Sequence, residues 1–152
     1  MSTTIVTRKT FTYRTSTEWL GRRNAKLTAA NKPALAVSSP PEFKGEKGFW
    51  TPEDFLVAAV ESCLLMTFAH QVERQQLPVE AYYSEAEGFL ESGEDGFCFT
   101  RVVVKPTIII TDARASDKTL KAIEIAHRDC LIANSLRAIV TVVPDIQLSV
   151  IE

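Results

Sequence analysis

The sequence predicts an α+β fold. Three observations carry this. Strand-like runs flank a long apolar stretch that opens near residue 52, a second and shorter amphipathic stretch follows near residue 116, and turn residues separate them. In order they read as three strands, a helix, two strands, a helix and a closing strand. At 152 residues the chain suits a single domain, 1–152, with enough length to bury a core.

Phe11 to Thr17 is β-branched and aromatic with partial alternation, a strand. Trp19 to Ala25 reads as a turn. Lys26 to Ala30 and Ala34 to Val37 are the next two strands, ended by Pro40-Pro41, which cannot donate to a ladder. The segment 41–50 is a loop whose Phe43, Phe49 and Trp50 either wall a pocket or pack as a staple onto the following helix. That helix has Thr51 as cap, Pro52 at its first position and Glu53 and Asp54 at its positive end. It is apolar on nearly its whole circumference, so it belongs in a core or between subunits, and it stops before Pro78. Glu80 to Leu90 and Phe97 to Thr111 form a hairpin about a polar turn, with Pro106 marking a bend or an edge. Ser116 caps the second helix, whose Leu120, Ile123, Ala126, His127 and Cys130 recur at helical spacing. Ile139 to Val143 and Ile146 to Ile151 close the chain as one strand bent at Pro144.

A net charge of −2 and the lack of a dense basic cluster argue against a nucleic-acid partner. No uncharged apolar run reaches the roughly 18 to 20 residues of a membrane span, because Glu61 interrupts the long helix. The segment Met1 to Ile5 lacks a signal peptide's apolar core, which points to the cytoplasm. Three cysteines, Cys63, Cys98 and Cys130, are too few and too odd in number for a disulfide framework, and they lack metal-site spacing, so no metal or cofactor is expected. Cys98, alternating with Phe97 and Phe99, reads as buried filler.

Cys63 sits midway along the long helix. It reacts only as thiolate, and burial raises a thiol's pKa, so a cation is expected nearby. The helix offers none beside it. Arg22 or Arg23 in the first turn is the candidate, held by Glu53 through a bidentate pair. Glu53 lies ten residues from Cys63, about 15 Å along the axis, so one arginine does not easily serve both on one helix, and the clamp would come from a second subunit. His127, one turn before Cys130, either touches that thiol or faces the helix dipole.

Two segments then resemble a known family. Trp50 to Leu56 with Ala58 to Cys63 looks like the first cysteine motif of the OsmC/Ohr proteins (osmotically inducible and organic-hydroperoxide-resistance proteins), glutamate included. Ala126 to Leu136 looks like the second, and Val142 to Ile146 and the strand order also agree. The resemblance spans about residues 10 to 150. It implies an OsmC-like fold of antiparallel sheets with a long buried central helix and a second helix, in an intertwined homodimer. It implies a thiol peroxidase: Cys63 attacks an organic hydroperoxide, Cys130 resolves the sulfenic acid as a Cys63–Cys130 disulfide, and Arg23, oriented by Glu53, stabilises the thiolate. Arg22 is the fallback, and Ala25 stands where the family has glycine. A dithiol, in part of the family a lipoylated protein, would be the reductant. Apolar Phe43, Phe49, Leu64 and Met66 would favour organic peroxides, although Leu64 and Met66 read first as core. The alternative is a non-catalytic OsmC-like dimer that binds a small apolar ligand or senses redox state. An acyl hydrolase using Cys63 with His127 lacks a carboxylate to orient the histidine.

Overall fold

The computed structural model describes residues 3–5 and 8–150. The chain divides into two compact units, Met1–Pro52 and Glu53–Glu152.

In the first unit β1 (Ser16–Gly21), β2 (Asn24–Thr28) and β3 (Leu35–Ser38) form an antiparallel sheet in chain order. The first strand lies later than expected. It takes up Trp19 and Leu20, assigned above to a turn, and leaves out Phe11 and Tyr13. The reason is the length of its partner: β2 has five residues, and its pairing to β1 runs only from Gly21↔Asn24 to Ser16↔Thr28. The turn shrinks to Arg22-Arg23. Gly21 (φ +102°) and Arg22 (φ +51°) supply the left-handed backbone that so tight a reversal needs. After β3 the chain folds back on itself. Gly45 N–H donates to the Pro40 carbonyl at 3.1 Å and Glu46 N–H to Ser38 Oγ at 3.0 Å. Any Cβ at Gly45 would collide with the Ser39 carbonyl.

The second unit carries α1 (Pro52–Gln75), β4 (Val79–Gly93), β5 (Gly96–Ile110), α2 (Ser116–Arg128), β6 (Ile139–Val142) and β7 (Asp145–Leu148). β4 and β5 pair antiparallel down their length, while β6 and β7 both join the far edge of β5 in parallel. The crossover through α2 brings the chain back in the direction of β5, so this sheet is mixed. The closing segment is two strands, not one bent strand. β6 lies beside Arg101–Val104 and β7 beside Thr107–Ile110, and Pro106 falls in the gap between them. There a missing N–H removes no bond to either short strand, which is how a proline is accommodated mid-strand. Ile151, the expected last strand residue, lies outside the described residues.

One face of this sheet is the core. Val102, Val104, Ile108 and Ile110 of β5 alternate inward against Val60, Leu64 and Phe68 of α1 and Ala122, Ile123 and Ala126 of α2. Phe68 rests on Tyr82 with ring centroids 5.5 Å apart. α1 thus buries one stripe, Val60, Leu64, Phe68 and Gln71. Leu64 is core as expected, but Met66 is 64% exposed. Mean hydropathy is 1.5 over the most apolar 18 residues of α1, of which 22% are buried. By length and composition alone α1 therefore reaches the range of a membrane span, Glu61 notwithstanding, but its buried stripe packs as a core helix.

Two further expectations change. Ser116 is the first residue of α2 and does not cap it. A 3-10 turn, Ala113–Ala115, leads in, and the Asp112 carboxylate accepts from Arg114 N–H at 2.9 Å. Cys98 is exposed, not buried. It pairs with Glu91 near the tip of the β4–β5 hairpin, and the buried positions of β5 begin only at Val102. Strand alternation there turns Phe99 to the edge of the core and leaves Cys98 exposed.

Candidate active site

α1 sets Cys63 at the border of its buried stripe, one residue before Leu64, so the thiol is half-buried. Thr67, one turn on, donates its hydroxyl to the Cys63 carbonyl at 2.8 Å and lies within hydrogen-bond reach of the sulfur. A hydroxyl has one proton, so it serves either the carbonyl or a thiolate, not both at once. α2 ends at Arg128. Cys130 follows two residues later, with its N–H on the His127 carbonyl at 3.4 Å and its side chain buried.

The two thiols are in hydrogen-bond contact, both as free cysteines. The contact acts on them in opposite directions. For Cys63, burial is the largest influence and pushes the thiol up. Hydrogen bonds from the Ile132 backbone, the Cys130 thiol, Thr67 and the Leu131 backbone together outweigh it, and the thiol falls below its ordinary value. For Cys130, burial again leads and raises the thiol. The Ala133 and Ile132 backbone amides offset part of that, while the hydrogen bond and the negative charge of Cys63 raise it further. Of the two, Cys63 is the one that gives up its proton more readily and Cys130 the one that holds it.

Within this chain's described residues Cys63 is lowered by hydrogen bonds and not by the cation that its sequence setting called for. Those donors were not foreseen. Thr67 was findable, since residues four apart on a helix are neighbours. The Leu131 and Ile132 amides were not, because backbone groups leave no mark in a sequence. His127 lies in the last turn of α2, at the negative end of the helix dipole. Its Nε2 meets the Val140 carbonyl at 3.0 Å, tying α2 to β6.

The other two site residues are Arg23 and Glu53. Arg23 is an exposed residue of the β1–β2 turn, and its carbonyl accepts from Ser39 N–H at 3.2 Å. Arg22 beside it accepts from the Trp19 indole N–H at 3.0 Å. Ala25 pairs with Trp19 and Val37 inside β2 and needs no glycine conformation. Glu53 lies in the first turn of α1, and its Oε2 is buried with no hydrogen-bond partner among the described residues. A buried carboxylate oxygen without a donor is costly, so the position calls for one.

Comparison with known proteins follows the same lines. An uncharacterised protein of Bacillus subtilis (strain 168), YmaD, is 26% identical over 123 residues, 78% of this chain and 82% of that one. The structure of an OsmC-like protein of unknown function from Vibrio cholerae O1 superposes with a TM-score of 0.81 at 22% identity, covering 89% of this chain and 99% of that one. An organic hydroperoxide resistance protein OsmC from Legionella pneumophila gives 0.71 at 23% identity, covering 94% and 100%. These likenesses show the fold. The family model described as OsmC-like protein matches residues 45–144, which take in Cys63, Cys98 and Cys130 together with α1 and α2, and the chain belongs to that family.

Proposed function

We propose that this protein is a thiol-dependent peroxidase that reduces organic hydroperoxides to alcohols. The observation that carries the reading is the pair of touching thiols shifted in opposite directions, Cys63 down and Cys130 up. Organic-hydroperoxide-resistance proteins among the structural relatives support it. The Cys63 thiolate attacks the distal peroxide oxygen. The O–O bond breaks, the alkoxide leaves and takes a proton as alcohol, and Cys63 becomes a sulfenic acid. Cys130 then attacks that sulfur, water leaves, and a Cys63–Cys130 disulfide remains. A dithiol, a lipoylated protein in this proposal, reduces the disulfide and is itself oxidised to the cyclic disulfide. Arg23 supplies the positive charge for the thiolate and the departing oxygen. Glu53, whose carboxylate oxygen lacks a donor among the described residues, is the residue that orients it.

The active species is proposed as a cytoplasmic homodimer. α1 supports this, since it leaves much of its apolar surface, Met66 included, uncovered in the protomer.

The test is consumption of tert-butyl or cumene hydroperoxide by fully reduced protein, with dithiothreitol or dihydrolipoamide as reductant. Cys63→Ser is expected to abolish turnover. Arg23→Ala is expected to lower it strongly and Arg22→Ala to leave most of it. No turnover of wild-type protein with either dithiol would refute the reading.

A further inference from the structure

The segment after α2 makes an unusual set of bonds. Asn134 N–H donates to the Cys130 carbonyl at 3.0 Å, Ser135 Oγ to the Leu131 carbonyl at 2.8 Å, and Ser135 N–H to the Ile132 carbonyl at 3.0 Å. Asn134 Nδ2 donates to the Arg128 carbonyl at 3.0 Å, tying the same segment to the end of α2. Three successive carbonyls, those of Cys130, Leu131 and Ile132, are thus held by Asn134 and Ser135.

Each of those carbonyls shares a planar trans peptide with the next residue's N–H, and the two point to opposite sides. Pinning the Cys130 carbonyl aims the Leu131 N–H away from residues 134–135. Pinning the Leu131 carbonyl does the same for Ile132, and pinning the Ile132 carbonyl does it for Ala133. The Leu131 and Ile132 backbones are the groups that bond the Cys63 sulfur, and the Ile132 and Ala133 backbones bond the Cys130 sulfur. Successive amides turned to one side form an anion-binding concavity. The carbonyls are held on one side so that the amides serve the sulfurs on the other.

We propose that Ser135 and Asn134 are positioning residues for the Cys63 thiolate, acting through the peptide groups of the Cys130–Ala133 turn that they hold. This deepens the peroxidase reading and rests on it for its purpose, although it concerns the thiolate alone. Ser135 matters most, because its side chain alone orients the peptide that carries the Ile132 N–H. Neither residue touches the sulfur through its own side chain in this arrangement.

The experiment is the pH dependence of Cys63 alkylation by iodoacetamide. It is read by mass spectrometry on the Cys63 peptide, so that exposed Cys98 does not contribute. Ser135→Ala is expected to raise the midpoint of the profile and to slow labelling near neutral pH roughly tenfold, the scale of one hydrogen bond to a charged group. Ser135→Thr keeps the hydroxyl and is expected to restore the wild-type midpoint. Asn134→Ala, which frees the turn at its other end, moves the midpoint the same way by less. A midpoint unchanged in Ser135→Ala overturns the proposal, as does a rate lowered by the same factor at every pH, which reports access and not thiolate stability. Alkylation needs no peroxide. A raised midpoint in a protein that turns over no hydroperoxide would uphold this role and sink the peroxidase. An unchanged midpoint in an active enzyme would do the reverse.

Discussion

Replacing Cys130 two ways separates the two roles proposed for it. In the structure its thiol bonds Cys63, and that bond is among the influences that lower the Cys63 thiol. Serine keeps an O–H donor at nearly the same place, whereas alanine removes it. A hydrogen bond to a charged group contributes about 1.5 to 3 kcal/mol. Cys63 is only half-buried, so the lower end applies. About 1.4 kcal/mol is one unit of pKa, so Cys130→Ala should cut the thiolate fraction near neutral pH by roughly tenfold. Cys130→Ser should stay within about a factor of three of wild type. The first assay is the alkylation rate of Cys63, followed through its peptide, between pH 5 and 9. The second is the fate of Cys63 after one equivalent of cumene hydroperoxide. Both variants lack a resolving thiol, so both should hold Cys63 as sulfenic acid and pass to sulfinic acid with excess peroxide, while wild type stops at the disulfide. Equal labelling rates in wild type, serine and alanine variants would refute the donor role. A Cys63–Cys98 disulfide forming in either variant at the wild-type rate would refute Cys130 as the dedicated resolving thiol.

Three further outcomes test the fold and the assembly. Phe68→Ala removes a ring that is 1% exposed and packed on Tyr82, so urea unfolding should show a loss of about 3 to 5 kcal/mol, whereas under about 1 kcal/mol would mean that α1 is not anchored at this point. Met66→Asp puts a charge on the uncovered face of α1 and should leave protomer secondary structure unchanged by circular dichroism while sedimentation shifts toward monomer; an unmoved dimer would place the interface elsewhere. Tyr82 is pushed up to about 12, first by burial and then by the negative charge of Glu61. A pKa raised on folding stabilises below the unfolded value, near 10, and that contribution is lost as pH rises from there toward 12. Wild type should therefore lose stability over that window and Tyr82→Phe should lose less, with the missing tyrosine absorbance change confirming the assignment.

The two helices and the hairpin were legible because each is announced by local chemistry. Thr51-Pro52-Glu53 starts α1, Pro78 follows its end, and paired glycines flank the Glu94-Asp95 turn, so the boundaries fall within a few residues of those observed. The first strand is misplaced because Phe11-Thr12-Tyr13 has strand propensity but no ladder partner among the described residues, and strand formation depends on the neighbour more than on the residue. Cys98 shows the same limit. Its alternation with two phenylalanines marks a strand but does not say how far along the hairpin the core reaches.

The site divides along a similar line. Side chains could be read: Cys63 and Cys130 were named from their helices, and the structure brings their sulfurs together. The environment that decides their chemistry could not, because it is mostly backbone. From the sequence a buried cysteine needed a charge, and Arg23 was the available source. In the folded unit hydrogen bonds from the Ile132 backbone, the Cys130 thiol, Thr67 and the Leu131 backbone together hold Cys63 below its ordinary pKa without one. That narrows the role proposed for Arg23 from thiolate and departing oxygen together to the oxygen. If hydrogen bonds within the protomer prepare the thiolate, a cation delivered by Arg23 is best used where negative charge appears during reaction, on the oxygen that departs from the peroxide. Arg23→Ala should then leave the pH midpoint of Cys63 alkylation nearly in place while lowering the rate of its oxidation by cumene hydroperoxide by two or more orders of magnitude, on the scale of a lost transition-state donor. A midpoint that rises as steeply as the oxidation rate falls would return the arginine to ground-state stabilisation of the thiolate.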